Sequence, residues 1–100
     1  MPETKGKIEI ENFTSPGRVT RVDKVKYAAM RIALMKVLPR KSPGVTVTEA
    51  KVALLPLLPQ DLFPNGDKAG WWLKAVQLDL EAKGLIKREQ TKPLRLCRVD

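Results

Sequence analysis

The chain contains no histidine and only one cysteine, and no apolar run approaches the roughly 18 residues that a membrane span needs. Without histidine it lacks the side chain that most readily exchanges protons near neutral pH, and the commonest metal ligand with it. A lone Cys97 makes neither an internal disulfide nor a thiolate zinc site. With no activating base in view it reads as a small strand residue. Asp79 and Glu81 stand two positions apart on one helix, so they diverge and form no carboxylate pair. No glycine-rich loop with phosphate-cradling spacing opens a helix. The expectation is a protein that is no enzyme, with no catalytic residue, no metal site and no cofactor. Met1-Pro2-Glu3-Thr4-Lys5 lacks the apolar core of a secretory signal. With the free thiol, this predicts a reducing, cytoplasmic setting and no membrane partner.

What is present fits one domain: 100 residues, 43% apolar and 30% charged, enough to bury a single core without staples. The formal net charge of +8 attracts phosphate backbones or other acidic partners. The bases gather in two places, Arg18, Arg21, Lys24 and Lys26 around the start of a first helix, and Lys87, Arg88, Lys92, Arg95 and Arg98 near the C-terminus. A solvated sheet face has the same composition, so charge alone decides nothing.

Local patterning divides the chain into an N-terminal arm, 1–22, and a folded body, 23–100. Lys7-Ile8-Glu9-Ile10-Glu11 alternates with period two, which predicts a short strand or an extended arm with one face covered. Ser15-Pro16-Gly17 breaks it. Asp23 suits the N-cap of a helix that runs to Leu38 and stops before Pro39. Its inward stripe is Tyr27, Met30, Leu34, Val37 and Leu38, and Val25, Ala28, Ala29, Ile32 and Met35 form a second apolar strip on the other side. Val45-Thr46-Val47 reads as a brief strand, and Thr46 with Glu49 as a capping box opening a second helix that Pro56 ends or kinks. After a connector around Asp61-Leu62-Phe63-Pro64, with Asp67 as the expected N-cap, a third helix runs from Ala69 to Lys83 and stops at Gly84, the expected left-handed C′ residue. Leu85 to Glu89 and Leu94 to Val99 then read as a hairpin, with Leu94 and Leu96 on one side and Arg95 and Cys97 on the other.

The predicted fold is therefore α+β, with three helices, a C-terminal β-hairpin and an N-terminal extended arm or short strand. The order helix, short strand, helix, helix, hairpin resembles the winged-helix superfamily over Asp23 to Val99, although the connector after Pro59 exceeds the tight turn of a helix-turn-helix. Gly70-Trp71-Trp72, the run Val76 to Gly84, Asp61-Leu62-Phe63-Pro64 and Thr91-Lys92-Pro93-Leu94-Arg95 are similar to a family of small bacterial proteins of no established activity. The superfamily resemblance implies DNA as a partner. Lys68, Trp71, Lys74 and Gln77 would then occupy the exposed part of a recognition helix, with Lys68 and Lys74 on phosphates and Gln77 on a base edge, and Lys92 and Arg95 would lie on the wing.

The same helix carries contrary features. Trp71, Ala75, Leu78 and Ala82 form a second apolar strip away from the core, and Glu81 adds negative charge where phosphates would lie. With Val25 and Ile32 of the first helix this is surplus apolar surface, which a monomer rarely exposes. Either the arm covers it, or a second copy or another protein does. The alternative function is thus a protein-interaction module without DNA reading. The tryptophans also have faces on which unpaired bases stack, against a plainer reading in which Trp72 fills the core and Trp71 meets protein.

Overall fold

The computed structural model describes residues 6–99; the expectation about a secretory signal falls on residues 1–5, outside the described residues. The alternating segment forms strand β1 (Lys7–Glu11), with Ile10 buried and Ile8 half-buried. Its partner is β2 (Val19–Asp23), antiparallel, with Lys7 opposite Asp23 and Glu11 opposite Val19. The arm is thus a β-hairpin whose connecting loop holds Ser15-Pro16-Gly17. Two strands alone are marginal in water, and this pair rests on the first and third helices.

Helix α1 (Lys24–Val37) follows β2 without a break. The Asp23 carboxylate caps it, accepting from the amides of Val25 and Lys26 at 2.9 and 3.0 Å. Leu38 turns extended ahead of Pro39. Strand β3 (Val45–Thr46) leads into α2 (Val47–Leu54), where the capping box is complete: the Glu49 amide donates to Thr46 Oγ1 at 3.1 Å and the Thr46 amide to Glu49 Oε1 at 2.9 Å. That amide chiefly holds the Glu49 carboxyl below its usual range. Pro56 sits in a single 3₁₀ turn, Leu55–Leu57, that closes α2.

Helix α3 (Ala69–Ala82) starts where the sequence suggests and ends one residue before Lys83, but its cap lies one residue later than expected. Lys68, in the left-handed region at φ 57°, occupies the N-cap position, and its carbonyl accepts from the Trp72 amide at 3.0 Å. Asp67 therefore stands one residue too early to cap. At the other end the Leu85 amide reaches Leu80 O at 2.9 Å and the Gly84 amide Glu81 O at 3.1 Å, with Gly84 at φ +77°. This is the Schellman arrangement its position predicts. Strands β4 (Ile86–Glu89) and β5 (Arg95–Arg98) form the expected hairpin, and β3 pairs with β5, giving an antiparallel sheet of order β3-β5-β4. Gly44 admits that pairing: at φ +86°, a Cβ there would lie 2.0 Å from Leu96 O.

Three helices and two small sheets make this an α+β domain. Met30, Leu34, Leu54, Leu73, Val76, Leu80, Ile86 and Leu96 form its buried centre. Phe63, from the connector, packs against Trp72 edge-on at 6.4 Å between ring centroids. Cys97 departs from the expected alternation. Leu96 faces the core, yet Cys97 on the opposite face is also fully buried, beneath the segment carrying Gly44. Among the described residues no helix is long and apolar enough to cross a membrane.

Candidate functional site

Helix α3 has three environments around its axis. Ala69, Trp72, Leu73, Val76 and Leu80 face the core. Asp79 is turned toward α1 and the arm, with no exposure, and accepts from the Glu11 amide at 2.8 Å, the Lys83 ammonium at 2.9 Å and the Tyr27 hydroxyl. Burial, and then the hydrogen bond and charge of Asp79, push the Tyr27 phenol well above its ordinary value, with Arg31 pulling weakly the other way. On the third side Glu81 is buried and meets Arg88 of β4 through two short contacts, Nε to Oε2 at 2.6 Å and Nη2 to Oε1 at 2.8 Å. The same guanidinium lies over the Phe13 ring, 4.9 Å from its centroid. That contact ties the arm loop to the C-terminal hairpin across α3.

These contacts change the reading of several residues. Gln77, expected to read a base edge, is buried at 5% exposure and donates from Nε2 to Glu81 Oε1 at 3.0 Å. It is withdrawn because Glu81, held inward by Arg88, draws the amide one turn back along the helix. Glu81 consequently adds no negative charge to the surface. Arg95 is half-buried, its guanidinium donating to Gly44 O at 3.1 Å and standing 3.8 Å from Glu49; it braces the β3–β5 edge. Lys68, Lys74 and Lys92 are exposed, the first two on the open N-terminal half of α3 and the third in the β4–β5 turn.

The apolar strip divides. Leu78 is buried and Ala75 half-buried, because the arm crosses there: the Phe13 amide donates to Leu78 O at 3.2 Å and Ile10 lies alongside. Leu78 is thus intramolecular core and not surplus surface. Ala82 remains exposed, as do Trp71 (56%), Val25 (58%) and Ile32 (67%). The arm covers part of α3; on α1, Val25, Ala28 and Ile32 stay exposed, whereas Ala29 and Met35 are half-buried against the core.

Two features escaped sequence reasoning. Lys51 of α2 brings its ammonium close to Gly70 at the start of α3, a meeting of residues from different helices that no local pattern announces. The Tyr27–Asp79 contact had a weak signal: a tyrosine in a core stripe needs a polar partner for its hydroxyl. The result is an α3 whose two acids are both internally compensated. Lys68, Lys74 and Lys51 surround its open N-terminal half, where unbonded helix amides add partial positive charge.

No curated protein and no solved structure matches the chain significantly. A family model does match it over residues 7–96, from β1 into β5, and the chain therefore belongs to the family of unknown function DUF6958.

Proposed function

We propose that this chain is a cytoplasmic winged-helix domain that binds nucleic acid through the phosphate backbone, with α3 and the β4–β5 turn as the contact surface. The observation that carries this reading is the charge separation on α3: Asp79 and Glu81 are buried against Tyr27, Lys83 and Arg88, while Lys51, Lys68 and Lys74 stand at the open end. The charged side chain that the N-terminal half of the helix presents outward is that of Lys74, with Trp71 exposed beside it and Asp67 and Lys68 exposed ahead of the first turn. The element order and the sheet order β3-β5-β4 are consistent with a wing formed by β4 and β5. Lys92 at its tip and Lys87 on β4 are exposed cations of the wing, whereas Arg95 is engaged with Gly44 and Glu49. With Gln77 withdrawn, contact is weighted toward backbone over base edges.

Titration against labelled duplex and single-stranded DNA across a salt series tests the reading. Affinity should fall steeply with salt, and Lys68→Ala, Lys74→Ala or Lys92→Ala should each flatten the log-log slope by about 1. Absence of binding to either form at low salt overturns it.

The open α1 strip favours a second reading, a protein-interaction module. Ile32 lies exposed beside Leu57, which is 45% exposed, and Val25 is exposed two turns earlier on the same helix, so they offer apolar surface for a homodimer or another protein. If the strip joins two copies, the solution mass is that of a dimer and Ile32→Glu converts it to a monomer that keeps its helical content and melts at a lower, concentration-independent temperature. A monomeric wild-type chain removes the homodimer.

A further inference from the structure

Building on the nucleic-acid reading, we propose that the cleft between β1 and the N-terminal half of α3 takes an unpaired base of single-stranded DNA, stacked on Trp71. The cleft has a volume of about 350 Å³, and Ile10, Glu11, Asn12, Trp71, Lys74 and Leu78 are among the residues that line it, so it holds one acidic and one basic residue. That is at the lower end of sites that hold small ligands, and its composition is theirs: apolar walls with a few polar groups.

Trp71 is the unusual element. It exposes 56% of its surface on a helix whose other large apolar residues are buried. Its ring stands edge-on to Trp72, 5.1 Å between centroids at 83°, and Trp72 in turn meets Phe63. The exposed indole therefore rests on a packed aromatic base, and ordering it on binding costs little entropy. Trp71 and Lys74 stand three residues apart on α3 and are neighbours on its surface, while Lys68 lies ahead of the helix in the left-handed region. An aromatic side chain beside Lys74 matches a base and its phosphate along a single strand. Asn12 accepts from the Thr14 amide and hydroxyl through Oδ1, at 2.9 and 2.7 Å, and its amide NH₂ supplies a donor for a base edge at the cleft.

The chemistry discriminates against a paired target. In a duplex the base faces are hidden by stacking and only edges are presented, which calls for hydrogen-bonding side chains. The open half of α3 offers Gly70, Trp71 and Lys74, while Gln77 is buried. An aromatic face beside lysines is instead the equipment of single-strand binding, where each base presents a π-face.

The test measures the full chain at low salt against three probes: a short fluorescent oligothymidylate, the same oligonucleotide with abasic sites throughout, and a blunt duplex. The oligothymidylate should bind more tightly than the abasic strand. Trp71→Ala should weaken the oligothymidylate about 5- to 150-fold and leave the abasic strand unchanged, and Trp71→Phe, which keeps a π-face, should restore most of the loss. Trp71→Ala should lower the melting temperature by a few degrees through the lost edge contact with Trp72, and both variants should stay fully folded at the temperature of the titration. Equal affinity of Trp71→Ala and wild type for oligothymidylate, with Lys74→Ala weakening both single strands, overturns the stacking site and leaves phosphate binding standing. A Trp71→Ala loss confined to the duplex overturns the single-strand assignment. Failure of all three probes to bind overturns the nucleic-acid reading and this inference with it.

Discussion

Arg88→Ala is expected to lower folding stability by about 3–5 kcal/mol, read as a shift of the urea midpoint at constant slope. The Glu81 side chain is 1% exposed and that of Arg88 18%, so the substitution strands a carboxylate in the protein with only the Gln77 amide still donating to it. Removing one partner of a buried pair costs far more than the pair contributes over an apolar replacement, because the remaining charge stays desolvated. The hydrogen bond to Glu81 also raises the pKa of the Arg88 guanidinium above its ordinary value, against the effect of burial. The double variant Glu81→Leu, Arg88→Met should recover most of the loss. Arg88→Ala further removes the cation over Phe13, so the arm loop should exchange amide protons faster. A loss under about 1 kcal/mol, typical of surface pairs, would mean that water reaches Glu81 and that its charge counts against phosphate binding.

Asp79→Ala should be comparably severe, about 3–5 kcal/mol. Its carboxylate is fully buried and serves the Glu11 amide, the Tyr27 hydroxyl and the Lys83 ammonium, joining β1, α1 and the C-terminal turn of α3. Hydrogen exchange at Glu11 and Phe13 should rise before the rest of the domain opens, since the arm hairpin loses its polar anchor. Tyr27→Phe removes one hydrogen bond to a charged acceptor and should cost about 1.5–3 kcal/mol. The alkaline limb separates the two effects. Tyr27 titrates higher in the folded chain than its ordinary value of 10.0, so the unfolded chain loses the phenolic proton first. The contribution is complete below about pH 10 and is lost as pH rises beyond it. The stability gap between wild type and Tyr27→Phe should therefore shrink with pH in that range. A pH-independent gap would place the Tyr27 hydroxyl in contact with solvent.

Both predictions concern residues that the sequence presents misleadingly. Asp79 and Glu81 look like surface charges on an amphipathic helix, and they do diverge, as two positions on one helix must. Each nevertheless points into its own buried network, because the arm closes one side of α3 and the β4 strand the other. Gln77 reads as a base-contacting residue only while Glu81 is taken to be exposed. Cys97 reads as lying on the outer face of β5 until the Gly44 segment covers it. Leu78 counts as surplus apolar surface until the arm arrives.

The sequence by itself determined the three helices, the C-terminal hairpin and most of their ends, but not β2, which is a strand only by pairing with β1. The Asp23 cap, the Thr46–Glu49 box, the stop before Pro39, the 3₁₀ turn at Pro56 and the Gly84 terminus all depend on groups a few residues apart, whose geometry is set once the local backbone is. Tertiary structure alone decided which charges remain outside. The Glu11 amide and Asp79 that anchor the arm are 68 residues apart, and Lys51 reaches Gly70 from another helix. Burial of a charge depends on the partner that compensates it, and that partner is brought near only when the chain closes on itself.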